Sequence, residues 1–249
     1  MDMKHPGLML VAAVVGGLVG GLVASRLALG TAACAQPPAA PEKVLRAEQF
    51  EVLDTDGKVR ATLTAKDDEG PTLRLLDTDG EDRVLLSLRP SAEAVLAFRD
   101  RGQKARLSLT LLKEGPRVDL WDPDGKNIRT ALRTAADGAP LLELYDQYMR
   151  RRAAFGLDAG EQPGLSLEDT AGKARLTLGL EQEGLAVLRF LSQEQVARIG
   201  LSLGADGGPA SLSFLDPAGK IRAMLALGPE GSPVLTFLDE NGQGLWRAP

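Results

Sequence analysis

A turn of the form D-x-x-G returns at nearly constant spacing through residues 43–249, and that period constrains the fold more than any other feature. In register, the chain reads FEVLDTDGKVRATL from Phe50, LRLLDTDGEDRVLL from Leu73, LSLEDTAGKARLTL from Leu165 and LSFLDPAGKIRAML from Leu212. The Asp column falls at Asp54, Asp77, Asp100, Asp122, Asp146, Asp169, Asp216 and Asp239, with Ser192 in the seventh place. Successive spacings are 23, 23, 22, 24, 23, 23, 24 and 23 residues, giving nine copies.

Each copy reads as strand, tight turn, strand. Apolar residues alternate in the first strand, as at Phe50 and Val52, and in the second, as at Ala61 and Leu63. This period of two is that of a β-strand with one apolar face. Between the strands, Asp bonds nearby amides, Pro presets φ and Gly takes the left-handed position. Parity fixes the register. A loop of two or four residues places Val52 opposite Ala61 and Phe50 opposite Leu63, with all apolar side chains on one face, whereas a three-residue loop mixes the faces.

An arginine column accompanies the turns at Arg60, Arg83, Arg106, Arg129, Arg152, Arg175, Arg198 and Arg222. On this register it lies on the other face, beside Leu53, Leu76, Trp121 or Tyr145, where an arginine stem can cover an apolar neighbour with cation–π attraction at the aromatics. It reads as part of the repeat. A longer beat overlies the short one. Pro71, Pro116, Pro163 and Pro209 precede the even copies, and the third, fifth and seventh copies lose the turn glycine position. The expected fold is an all-β repeat domain of nine antiparallel β-hairpins, an extended or curled meander in which odd and even hairpins form opposing sheets. The alternative is a propeller-like closure with blades of two hairpins.

The N-terminal part is of another kind. Residues 1–6 form a short tail. Residues 7–29 read GLMLVAAVVGGLVGGLVASRLAL with Arg26 as their single charge, long enough for a transmembrane signal-anchor helix. Lys4 places the N-terminus in the cytoplasm, and Arg26 on the other flank weakens that bias. Cleavage at Ala33-Cys34-Ala35 and lipidation of Cys34 are the other outcomes. Gly16, Gly17, Gly20 and Gly21 give small-xxx-small pairs on which two helices can associate. Residues 30–42 are a Pro/Ala-rich tether, and 43–249 the repeat domain. The expected location is a bacterial inner membrane, single-pass, with the repeats periplasmic or extracellular.

Composition excludes several chemistries. The single cysteine, Cys34, and single histidine, His5, both precede the repeats, so a Cys-His or Ser-His pair or a His/Cys zinc site has no residues there. The net charge of -5 resides on the repeat domain and disfavours nucleic acid as partner.

The lead-in KVLRAEQFEVLD (Lys43–Asp54), the D-x-x-G-K-x-R-A units and the ending GQGLWRAP (Gly242–Pro249) resemble uncharacterised bacterial membrane-anchored envelope proteins with such hairpin repeats and a W-x-A-P-like C-terminus. The resemblance covers the whole chain, with departures in the third, fifth and seventh copies. It implies anchoring and repeat architecture, and no activity or ligand.

Within the repeats, DTDG and DPDG look like fragments of calcium loops. A strand begins directly after the glycine, however, and DTAG and DPAG carry one carboxylate, so hairpin chemistry accounts for them. No metal or cofactor is expected. The fifth copy is the most irregular. Tyr145, Tyr148, Arg150, Arg151 and Arg152 form the candidate binding surface, able to meet an anionic partner, with a solvated basic turn as the plainer reading. Arg99, Arg101 and Lys104 come next. The expected function is a non-enzymatic, membrane-tethered scaffold or binding surface of the cell envelope, with an envelope protein, an anionic partner or another copy of itself as partner. The alternatives are a ligand- or calcium-binding sensor using the Asp-rich turns and, last, a hydrolase.

Overall fold

A computed structural model describes residues 44–66, 70–205, 208–228 and 230–248. The expected anchor at 7–29 and tether at 30–42 lie outside them. Among the described residues no helix is long and apolar enough to cross a membrane.

Glu48–Pro249 forms one structural unit, made of strands joined by turns. The first six strands are β1 (Gln49–Leu53), β2 (Val59–Lys66), β3 (Gly70–Leu76), β4 (Asp82–Leu88), β5 (Ala94–Arg99) and β6 (Ala105–Leu112). There follow β7 (Gly115–Trp121), β8 (Ile128–Thr134), β9 (Pro140–Tyr145), β10 (Arg151–Leu157), β11 (Pro163–Glu168) and β12 (Ala174–Leu180). The last six are β13 (Ala186–Leu191), β14 (Ala197–Leu203), β15 (Ala210–Leu215), β16 (Ile221–Leu227), β17 (Pro233–Leu238) and β18 (Gly244–Ala248). Each strand pairs antiparallel with its neighbours in sequence, and the eighteen strands make one open meander.

In the first hairpin Val52 faces Ala61 and Phe50 faces Leu63, the register expected from parity. Beside the turn the register shifts by one, so that Leu53 pairs with Val59 and Arg60 is the extra residue. The same shift recurs beside the Asp turn in every copy, and the arginine column occupies it in eight of the nine. A bulge of this kind leaves one residue unpaired and turns its side chain, which simple alternation does not foresee.

The expected opposition of odd and even hairpins in two sheets gives way to one continuous sheet. The reason is the connection between hairpins. At Arg89–Glu93 the amide of Arg89 donates to the carbonyl of Glu93 at 2.9 Å and Ala92 takes the left-handed conformation. This repeats the geometry of the Asp turns. So tight a turn leaves the next strand at hydrogen-bonding distance, about 4.8 Å away, and cannot reach a second sheet about 10 Å off. Blades separated as in a propeller are likewise replaced by unbroken ladders.

The meander aligns its apolar positions across the strands. One row runs Phe50, Leu63, Leu73, Leu86, Leu96, Leu109, Val118, Leu132 and Leu142 from β1 to β9. It continues through Phe155, Leu165, Leu178, Leu188, Leu201, Leu212, Leu225 and Leu235 to Ala248 on β18. A second row, two residues closer to the Asp turns, begins Val52, Ala61, Leu75, Val84, Phe98 and ends Phe214, Ala223, Phe237, Trp246. Each neighbouring pair contributes about 0.2–1 kcal/mol. Much of this leucine face stays open to solvent. Leu132 is 52% and Leu178 48% exposed.

The other face carries small and polar residues: Thr64, Thr72, Ser87, Val95, Ala97, Ser108, Ala131, Ala154 and Val187, all buried. Short side chains sit close to the sheet between longer neighbours and so lose water. Among the described residues no large side chain is fully buried. The fold therefore depends on its ladders, turns and cross-strand rows rather than on a thick core.

Candidate functional site

The turns assign work to every member of the D-x-x-G-K-x-R motif. The Oδ1 atom of Asp54 accepts from the amides of Asp56 and Lys58, both at 2.9 Å. Gly57 holds φ at 77° and donates to the Asp54 carbonyl at 3.0 Å. Asp77, Asp100, Asp146, Asp169, Asp216 and Asp239 each accept from the amides two and four residues on. These bonds lead the causes that hold most of the turn carboxyls below their usual range. At Ser192 the hydroxyl substitutes, with longer bonds of 3.2 and 3.4 Å.

The cations reach forward to the next hairpin. Arg175 lies 3.5 Å from Asp169 of its own turn and donates Nε to the Leu191 carbonyl at 3.0 Å. Arg129, Arg152 and Arg198 make the matching bonds to the carbonyls of Tyr145, Glu168 and Leu215. Lys173 and Lys220 donate Nζ to the carbonyls of Gln193 and Glu240, and Lys104 pairs with Asp124. Successive hairpins are thus stitched together by the column that the sequence suggested would cover its aromatic neighbours. The aromatics are engaged elsewhere: Trp121 donates Nε1 to Ser108 Oγ at 3.1 Å, and the Tyr145 hydroxyl donates to Glu143 at 2.8 Å.

The five candidate residues of the fifth copy separate into two groups. At the turn, Tyr148 is 67% exposed, and the Arg150 guanidinium lies 4.8 Å from its ring centre while pairing with Asp146 at 2.8 Å. Arg152 lies 3.7 Å from the same carboxylate. Arg151 and Tyr145 instead belong to the small-residue face. Arg151 bridges two carboxylates, Glu168 at 2.6 Å and Glu143 at 3.3 Å. Of the neighbouring candidates, Arg99 lies 3.9 Å from Asp82 and Lys104 3.2 Å from Asp124.

Arg151 and Tyr145 open onto an ionic network that the repeat motif does not reveal. On β7, Arg117 and Asp119 form a separate pair at 2.6 Å, and Arg133 of β8 pairs with Glu143 of β9 at 2.8 Å. Arg151 then carries the chain of charges to Glu168 on β11. Asp119, Glu143 and Glu168 are buried, Glu143 to 2% exposure. Burial pushes the Glu143 carboxyl up, but bonds from Arg133, Tyr145 and Arg151 outweigh it and hold the group below its usual value. Arg133 and Arg151 are raised, first by their bonds to Glu143 and Glu168 respectively. The sequence signal was the column three residues before each turn Asp, where Glu51, Arg74, Asp119, Glu143 and Arg189 stand opposite to the leucine parity.

Beside the network lies an open concavity of about 390 Å³, floored by Ala154, Gly156, Gly164, Ser166, Thr177 and Gly179. A Cβ on Gly156 would come within 2.4 Å of the Pro140 carbonyl, so this floor needs glycine there. On the leucine face, shallow apolar grooves of about 240–290 Å³ recur between the rows, one framed by Leu86, Leu96, Leu109 and Val118. Among the described residues no group of three or more His, Cys, Asp or Glu is arranged to hold a metal ion.

No protein-family model and no curated protein matches the chain. Among solved structures it is similar to a TarM point mutant of S. aureus, crystallised in complex with fondaparinux, alpha-GlcNAc-glycerol and UDP. The match has 12% identity, covers 53% of this chain and 20% of that one, and has a TM-score of 0.17. The chain thus spans about a fifth of that protein's length, and at such a score the likeness bears on neither fold nor function.

Proposed function

We propose that this chain is a non-enzymatic, membrane-tethered scaffold of the bacterial cell envelope whose leucine face is its binding surface. The tether rests on the apolar segment at 7–29 and the Pro/Ala-rich stretch after it. The binding surface rests on one observation: two uncharged rows, apolar at every position but Thr130, cross eighteen strands with much of their surface in water. At about 4.8 Å per strand and four residues' depth this is on the order of 1,000 Å² of continuous apolar surface. Monomers that stay alone rarely expose more than about 300–600 Å², and larger patches mark interaction sites. The turn carboxylates, by contrast, are already committed to backbone amides, and the stitching cations to the neighbouring hairpin.

Site-specific photocrosslinking in intact cells tests this. A benzophenone side chain at Leu132 or Leu178 is expected to give discrete adducts, and one at Thr177 on the opposite face none. Equal labelling from both faces, or no adduct from the leucine face, would overturn the assignment. Turnover abolished by Glu143→Gln in an otherwise folded protein would overturn the non-enzymatic part.

A further inference from the structure

We infer that the two outer edges of the sheet, unpaired among the described residues, are complementary to one another, and that a second copy of this chain adds its β1 to β18. The inference stands on the edges alone and does not use the leucine face as a docking site.

Both outer strands are five residues long and exposed: every residue of β1, and all of β18 except Ala248. Edge strands normally carry a device against pairing, such as proline, lysine or a covering loop. Neither GLWRA nor QFEVL contains proline or lysine. Each instead carries one charge at its centre or next to it, Glu51 in β1 and Arg247 in β18, of opposite sign.

The register of the meander shows where these charges would meet. Ala248 ends the row that Phe50 begins, and Trp246 ends the row that Val52 begins. β1 and β18 run in opposite directions along the meander, so a second copy's β1 laid beside β18 continues the antiparallel alternation. Carrying both rows across the joint places Ala248 opposite Phe50, Arg247 opposite Glu51 and Trp246 opposite Val52. A small residue meets a large one in both apolar pairs, and the central pair is an ion pair on the small-residue face. Two β1 strands paired over their full length would instead set Glu51 against Glu51, which disfavours that contact.

The last copy also shows that the chain stops stitching itself at this edge. Where the other eight copies carry the column Arg, and five of them a Lys four residues after the Asp position, the ninth has Leu245 and Gln243. Leu245 and Leu53 are exposed at the two edges, at the level where a joint would bring them together. The contact is head-to-tail, so it propagates into chains or closes into rings. Tethering to one membrane would raise the effective concentration of so short an interface.

The test uses the full-length chain in mild detergent, with mass read by light scattering from about 5 to about 200 μM. Wild type is expected to grow in mass with concentration. Glu51→Arg and Arg247→Glu, each alone, set like charges opposite and are expected to weaken association about tenfold. In an equimolar mixture of the two variants, opposite charges meet again at both kinds of joint. One joint sets the two substituted side chains against each other, and the other sets the native Arg247 against the native Glu51. The mixture is expected to assemble like wild type. Val52→Lys, which loads the β1 edge without touching the ion pair, is expected to remain monomeric alone, while its intact β18 still takes the β1 of a wild-type copy and so caps wild-type assemblies at lower mass. Circular dichroism checks that each variant keeps its strands. A wild type that stays monomeric throughout, or charge variants that assemble as wild type does, would overturn the inference. A monomer destabilised by either single reversal would also overturn it, showing instead that β1 and β18 close within one chain.

Discussion

Replacing Glu143 by Gln tests whether the buried charges of the small-residue face hold its centre together. Glu143 accepts from Arg133 at 2.8 Å, from the Tyr145 hydroxyl at 2.8 Å and from Arg151 at 3.3 Å. Breaking a buried ion pair costs about 3–5 kcal/mol where both partners are dry. Here Arg133 is 32% and Arg151 42% exposed, so water takes up part of each lost bond. Arg151 also keeps Glu168, and a glutamine carbonyl still accepts one bond. The expected loss is therefore about 2 kcal/mol at neutral pH. An array of hairpins responds locally to such a change, so the loss is read by hydrogen exchange at the amides of β8, β9 and β10, with those of β2 and β17 as internal references. The pH dependence has a definite sign. The folded-state pKa of Glu143 lies below its ordinary value of 4.5, so its contribution is present above that value and is lost as pH falls through the folded-state pKa. The gap between wild type and Glu143→Gln should therefore close as the solution is acidified below that ordinary value. A difference under about 0.5 kcal/mol at pH 7, or one unchanged by acid, would refute the reasoning.

Two further predictions concern the turns. Gln103 and Gln195 stand in the left-handed conformation at φ 61° and 65°, where six of the other Asp-type turns use Gly. Gln103 spends no side-chain bond there, its buried amide nitrogen being without an acceptor, whereas Gln195 donates to the Ala174 carbonyl at 2.9 Å. Gln103→Gly should raise stability by about 1 kcal/mol, seen as a melting point a few degrees higher, and Gln195→Gly by less. The turn carboxyls Asp54, Asp77, Asp100, Asp122, Asp146, Asp169 and Asp216 all have lowered pKa values. Their contribution is present above the unfolded value and is lost as pH falls through the folded ones. The melting temperature should therefore drop as pH falls below about 4, and Asp→Asn replacement at several of these turns should flatten that drop.

The strands and their register were legible because two local signals agreed. DTDG and DPAG name a turn by residue chemistry, and the parity of Phe50, Val52, Ala61 and Leu63 names the face. The joining of hairpins into one sheet was not legible, because the second set of turns has no shared motif. Arg89-Pro90-Ser91-Ala92, Ala135-Ala136-Asp137-Gly138 and Asp158-Ala159-Gly160-Glu161 all adopt the same backbone bonds with different residues. Bulges were hidden for a related reason: alternation counts residues, and a bulge changes the count by one without changing composition. The ionic network was hidden because its members are contributed by β8 to β11 and meet only when the neighbouring ladders are in place. Arg151 shows this best. In sequence it is one of three consecutive arginines, while in the sheet it spans two carboxylates seventeen and eight residues away.

Strand length bears on what the leucine face can meet. No strand among the described residues exceeds eight residues, and most have six or seven. A strand that crosses a bilayer needs about 9–11 residues and shows lipid an apolar band about 25 Å tall. The two full rows of this sheet, with the partial third row of Leu88, Leu111, Leu180 and Leu203 beyond them, span five residues. At about 3.3 Å per residue that is a band of roughly 13 Å between side-chain rows, too low to match hydrocarbon. The band is nevertheless unbroken along about 80 Å, the width of eighteen strands. A surface that is long, low and bordered on one side by charged turns fits an elongated protein partner better than a lipid core. That shape is what the even repeat produces. Adding a hairpin lengthens the band without deepening it, so on the proposed reading copy number would set how long a partner the face could follow.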